Sequence, residues 1–159
     1  MTVEIRFGER SDVPLILRLI KALSVYEKLE DKVVATEDKV EKALFGPRPY
    51  AETLIAELDG EPVGFALFFH NFSTFLAQPG IYLEDLFVEP DHRGAGIGRA
   101  LLARLAEIAI ERDCGRLEWA VLDWNKDAIG FYERLGAQPQ DEWTVYRLTG
   151  EPLRRLAGK

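Results

Sequence analysis

The chain has 159 residues, 47% hydrophobic and 30% charged, a length that suits one domain burying roughly 69% of its unfolded surface without help from disulfides or a structural metal. One Cys and two His exclude a zinc cluster, an iron–sulfur site or a disulfide framework within one chain, so no metal is expected and a reducing, cytoplasmic setting is. The formal charge of −7 argues against a nucleic-acid surface and suits a small-molecule or cationic partner.

Met1-Thr2-Val3-Glu4 lacks a basic segment followed by a long apolar stretch, so no signal peptide is expected. Val3, Ile5 and Phe7 alternate with Glu4, Arg6 and Gly8, which predicts a short strand with one buried face. Ser11 is a candidate N-cap with Pro14 in the first turn, and Leu15, Leu19, Ile20 and Leu23 recur at helical spacing as far as Tyr26-Glu27. The charged stretch Lys28 to Lys32 breaks that pattern. Thr36 before Glu37-Asp38 predicts the cap of a second helix through Leu44, ended by Gly46-Pro47-Arg48-Pro49. Thr53 to Leu58 and Pro62 to Phe69 flank Asp59-Gly60, a strong hairpin signal. The apolar run Phe65 to Phe69 is far too short to span a membrane, and no membrane partner is expected. A loop from Asn71 to Gly80 leads into a strand from Ile81 to Val88. Ile97, Leu101, Leu105 and Ile108 then form one face of a helix. Arg116 to Leu122 reads as a strand, Asp127 to Leu135 as a helix stopped at Gly136, and Trp143 to Leu148 as a last strand before a short charged tail. The order β-α-α-β-β-β-α-β-α-β, with no repeat, linker or composition shift, predicts a single α/β domain over residues 1–159, its sheet part antiparallel and part parallel.

The strongest local feature is Arg93-Gly94-Ala95-Gly96-Ile97-Gly98-Arg99, placed between a strand and a helix. Its glycines leave backbone N–H groups uncovered, and the helix N-terminus adds an oriented dipole, so the loop suits phosphate oxygens. Arg93 and Arg99 can add charge-assisted contacts to the same group. A nucleotide-hydrolase phosphate loop requires Lys and Ser/Thr after its last glycine, whereas Gly98 is followed by Arg99-Ala100. A dinucleotide fingerprint requires its third glycine one residue later and belongs after an early strand. A tight packing turn is the plainer alternative.

The run from Val88 to Gly98 resembles the acetyl-CoA loop of the GNAT N-acetyltransferases, whose Arg/Gln-x-x-Gly-x-Gly/Ala motif is matched by Arg93, Gly96 and Gly98. Leu19 to Leu23, Tyr26-Glu27, Tyr82-Leu83-Glu84-Asp85, Trp124-Asn125 and Phe131-Tyr132 resemble the diamine branch, which includes the spermidine/spermine and thialysine acetyltransferases. Ala120 to Asn125 and Leu156 to Lys159 are more similar to the thialysine members. The resemblance implies a mixed, mostly antiparallel central sheet with helices on both faces. It also implies acetyl-CoA as cosubstrate, a small-molecule primary amine as acceptor, direct transfer and a homodimer.

Residue by residue, the resemblance makes Tyr132 the acid that protonates the departing thiolate, a role its phenol suits at neutral pH. It makes Glu84 the group that helps deprotonate the amine, through water. Alternation along a strand would point Glu84 and Asp85 to opposite faces, and a β-bulge here would bring both towards the site. The plainer reading of Glu84 is a solvated strand acid, and Asp85, on the face that alternation shares with Leu83 and Phe87, is open to either reading. The backbone of Leu86, Phe87 and Val88 would pair with the pantetheine arm, Gly94, Ala95, Gly96, Ile97 and Gly98 would hold the pyrophosphate, and Asn125 and Ala128 would hold the arm from the next helix. Arg134 would reach a phosphate or stay an exposed helix residue. Tyr26 and Glu27 match the amine-recognition pair, joined by Asp85 and by Glu142, for which Asp141 is a rival. The aromatic loop Phe72 to Phe75 departs from the polyamine enzymes, which carry an acid and Trp there, and suggests a smaller pocket than a protein-lysine acetyltransferase needs. A non-catalytic acyl-CoA-binding module is the rival from another class, and it would need neither Tyr132 nor Glu84. Cys114, with neither His70 nor His92 assigned beside it, is not expected to be a nucleophile.

Overall fold

A computed structural model describes residues 2–159, which fall into two compact units, one running to Ala120 and the other Val121–Lys159. The first unit is built on a sheet of order β1-β2-β3-β4-β5: Val3–Phe7, Glu52–Leu58, Glu61–Ser73, Gln78–Val88 and Leu117–Trp119. The first four strands pair antiparallel in sequence order, and β5 lies parallel to β4. Asp59 and Gly60 both have positive φ, 51° and 85°, the twist that a two-residue hairpin turn demands between β2 and β3.

Helix α1 (Val13–Tyr26) and α2 (Glu37–Phe45) cover one face of the sheet. Ile16, Leu19 and Leu23 of α1 meet Val40 and Leu44 of α2 over Ile55, Phe65 and Phe87, which the strand registers align side by side. Helix α3 (Ile97–Glu111) covers the other face with Leu101, Leu105 and Ile108, and its Arg104 reaches the Phe7 ring. Burial of these side chains, each contributing about 1.5–3 kcal/mol, holds the first unit together. Gly64 is required where the strands close up, since a Cβ there would stand 2.7 Å from the Phe87 carbonyl oxygen.

The ends of the elements correct several sequence expectations. Ser11 does not cap α1: a 3-10 turn over Arg10–Asp12 precedes it, and the Asp12 carboxylate takes two bonds from Arg6, at 2.7 and 2.9 Å, and one from the Glu9 N–H. This pairing holds the Asp12 carboxyl below the usual range, with the Arg6 hydrogen bonds the largest cause. Thr36 does cap α2, accepting from the Lys39 N–H at 3.2 Å. The loop expected from Asn71 to Gly80 is mostly strand, since β3 runs to Ser73 and β4 starts at Gln78. Phe72 and Phe75 are exposed towards its tip. Strand β5 keeps only Leu117–Trp119 of the expected Arg116 to Leu122, because its parallel partner residues are just Ile81 to Leu83.

The second unit holds α4 (Lys126–Arg134) and α5 (Gly150–Ala157). The last strand expected at Trp143 to Leu148 is not formed; that unit contains no other strand to supply a ladder, and alternation without a partner does not make a strand. The short charged tail forms α5, begun after Thr149 and stopped by Gly158 at φ 74°. Thr149, the Leu153–Leu156 spacing and Gly158 were its legible signals.

Candidate active site

Strand β4 carries the first group of site residues, and its backbone decides where they point. Leu67 pairs with Asp85 and the next residue, Phe68, pairs with Leu83, so Glu84 is an extra residue on β4. The β-bulge is therefore present at the acid pair. Because Leu67 packs on the α1–α2 cluster, Asp85 faces the same side as α1, together with Phe87 and opposite to Leu83. Glu27 caps the C-terminus of α1 on that side.

The charges of Glu27, Glu84 and Asp85 are felt by one another. Asp85 is half-buried, and its carboxyl is pushed up to about 6, by burial first and then by Glu84 and Glu27. Glu27 is raised by burial and by Glu84, while Glu84 itself is exposed. The Tyr82 phenol is also raised, again by burial before Glu84 and Glu118. Three carboxylates concentrated at one end of α1 form a receptor for positive charge: a cation placed among them would relieve the repulsion and favour their ionised forms.

The β4–β5 ladder stops at Leu83, so among the described residues of the first unit Glu84 to Val88 have no strand partner on that side. The strand then passes through a 3-10 turn, Pro90–His92, into the glycine loop. Gly94 and Gly96 have φ of 85° and 81°, and no atom of the described residues lies within 4 Å of where a Cβ would stand on either. Gly96 is the N-cap of α3, which leaves the N–H groups of Ile97, Gly98 and Arg99 outside the helical ladder that starts at Ala100. An open, left-handed glycine cradle ending on helical amides fits a pyrophosphate, and the adjacent open strand edge fits an amide-bearing arm. Arg99 is exposed. Arg93 is turned elsewhere: its guanidinium lies over the Tyr26 ring at 4.6 Å and the Phe87 ring at 5.4 Å, and its Nε donates to the Val88 carbonyl at 2.9 Å.

The remaining sequence-predicted residues lie in the second unit. Asn125 caps α4, its side-chain oxygen accepting from the Ala128 N–H at 3.3 Å. Tyr132 is half-buried on α4 with its ring 5.7 Å from that of Phe131. Arg134 is exposed, and Glu142 sits in an exposed turn rather than beside a strand.

Other features of the first unit stand apart. A cleft of about 490 Å³ is lined by Phe7, Tyr50, Glu52, Thr53, Phe69 and His70 among others, and none of the predicted site residues lines it. His70 has a partner the sequence did not reveal, Arg112 at 3.3 Å, which also grips Glu52 through two bonds. Burial pushes the Cys114 thiol up, with Arg112 opposing, so it is poorly suited to act as a thiolate. Among the described residues no cluster of three or more His, Cys, Asp or Glu is placed to hold a metal ion, and no helix is long and apolar enough to cross a membrane.

The family described as the acetyltransferase (GNAT) family matches residues 20–137. A thialysine N-epsilon-acetyltransferase from Bos taurus is 42% identical over 168 residues, covering 99% of this chain and 98% of that protein. An L-ornithine N5-acetyltransferase from Arabidopsis thaliana is 33% identical, covering 98% of this chain and 88% of that protein. Among solved structures, an integron cassette protein from V. cholerae superposes with a TM-score of 0.82 at 31% identity, covering 100% of this chain and 99% of that one. The glycine loop, the sheet and the sequence agreement together establish that the chain belongs to the acetyltransferase (GNAT) family, as an acetyl-CoA-dependent N-acetyltransferase of amines.

Proposed function

We propose that the acceptor is a small primary amine carrying a second charged group, of the lysine, ornithine, thialysine or diamine kind. The observation that carries this reading is the convergence of Glu27, Glu84 and Asp85 at the end of α1, with Asp85 held up to about 6 by its burial first and then by its acidic neighbours. The relatives named for thialysine and ornithine act on amines of this chemistry. Tyr26 and Glu27 would recognise the acceptor's cationic end, and Glu142 would add a further carboxylate.

Acetyl-CoA supplies an acetyl thioester; every other part of the chemistry falls to the chain. Gly94 to Arg99 would cradle the pyrophosphate, the β4 edge from Leu86 to Val88 would pair with the pantetheine amides, and Asn125, Ala128 and Arg134 would be further cofactor contacts. Glu84, exposed and able to work through water, would accept the ammonium proton so that the amine lone pair can attack. The new C–N bond forms as the C–S bond breaks; Tyr132 would give its proton to the departing thiolate, and the second proton of the attacking nitrogen would pass through water to restore the Tyr132 phenol. The products are the acetylated amine and free CoA. In this reading residues 1–159 make one catalytic domain, cytoplasmic and homodimeric, with no nucleic-acid or membrane partner and no metal.

The test is CoA release measured with thialysine, ornithine, lysine, putrescine, spermidine and a neutral-tailed monoamine of matched length. Amines with a second cationic group should turn over with kcat/KM about tenfold or more above the monoamine. Tight acetyl-CoA binding with turnover of none of them would favour a non-catalytic acyl-CoA-binding module.

A further inference from the structure

We infer that Arg93 is a positioning residue for the amine-recognition end of α1, and that the phosphate of the cofactor is left to the loop amides and Arg99. This rests on the acetyl-CoA reading of the loop proposed above. An arginine at the mouth of a glycine cradle would serve the phosphate if its head were free to turn to it. Here all three of its contacts hold it the other way: the Tyr26 face, the Phe87 face and the Val88 carbonyl. Phe87 is 4% exposed and part of the α1–α2 core cluster, so one wall of this slot is fixed. The Nε bond fixes the plane of the guanidinium against the end of β4. Tyr26, the last residue of α1 and 39% exposed, presents its ring to the Arg93 guanidinium from the other side. Arg99, by contrast, is exposed, and among the described residues it makes no hydrogen bond or ion pair.

A planar, delocalised cation held against two rings and the Val88 carbonyl thus joins the end of β4 to the end of α1. Its consequence is that the loop and the acceptor site share one side chain. Disturbing that side chain should therefore be read in the acceptor's constants before the cofactor's.

Arg93→Gln and Arg93→Lys separate the roles. Gln loses the charge and the stack; Lys keeps a charge for phosphate and loses the planar fork that bonds Val88 while covering two rings. CoA affinity is measured by calorimetry, and KM and kcat are measured for the best amine of the acceptor panel. The inference predicts that both variants raise the amine KM by about five- to tenfold, with CoA affinity within about threefold of wild type. It also predicts that in a Tyr26→Leu background Arg93→Gln adds less than twofold more, since paired residues are not additive. A fall in CoA affinity beyond about fivefold in Arg93→Gln that Arg93→Lys restores would identify a phosphate ligand and overturn the inference, as would an unchanged amine KM. Wild-type protein that binds no CoA would instead defeat the underlying reading of the loop, a result visible before any variant is made.

Discussion

Gly98 and Gly96 separate the two ways a glycine can be needed in the cofactor loop. Gly96 stands at φ 81°, so a side chain there is strained whatever the space, by about 1–2 kcal/mol, and a Gly96→Val change would mix folding with binding. Gly98 is already helical, and a Cβ on it would meet only the Val88 Cγ2 at 3.9 Å, an ordinary contact. Gly98→Ala should therefore leave the melting temperature unchanged or slightly raised, while CoA affinity measured by calorimetry falls by about tenfold as the methyl group keeps phosphate from the backbone. Unchanged affinity in the folded variant would remove the pyrophosphate from this loop. Tyr132→Phe isolates the other proposed chemical group, removing only the hydroxyl. Turnover should fall by about 10²–10⁴, the usual loss of a general acid, with acetyl-CoA affinity within about threefold of wild type. A variant keeping half of its turnover would make Tyr132 a packing residue.

At the scale of the element, β4 shows what one extra residue does. Without the bulge Asp85 would share a face with Leu83; with it, Asp85 lies on the α1 side and Glu84 stands out of the ladder between them. The cost is visible in the Asp85 carboxyl, raised from an ordinary value near 4 to about 6. Because the folded state holds this proton more tightly than the unfolded chain, the contribution to stability is full below pH about 4 and is lost as pH rises to about 6. The loss is on the order of 2–3 kcal/mol. Urea midpoints measured from pH 4 to pH 7 should fall across this window in the wild type and stay flatter in Asp85→Asn; parallel curves would mean that Asp85 titrates normally. The same scale explains what the sequence disclosed. Asp59-Gly60, Thr36 and the α3 repeat are local signals, and each element they mark is present. The glycine loop was equally plain, since spacing within seven residues carries it. The short β5 and the unformed strand at Trp143 to Leu148 depend on partners distant in sequence, which alternation cannot report. The bulge was legible only as a conflict: two adjacent acids, both wanted on one side. The Arg93 stack and the Arg112 grip on His70 and Glu52 join residues far apart in the chain, and no local pattern announces them.

For the molecule as a whole, 27 acidic against 20 basic side chains set a background field that draws cations before any contact is made. Most of that charge is solvated or paired, as in the Arg6–Asp12, Arg18–Glu89 and Arg112–Glu52 bridges. Glu27, Glu84 and Asp85 are different in repelling one another at the end of α1, and an acceptor with a second positive charge would relieve them. The most direct measurement is kcat/KM for a lysine-like amine divided by that for an uncharged isostere, followed from low salt to about 0.5 M. The account predicts a ratio of about ten or more at low salt that shrinks severalfold as added ions screen the carboxylates, and that is reduced at low salt by Glu27→Gln. A ratio near one at every ionic strength, in an enzyme that still acetylates both amines, would contradict it.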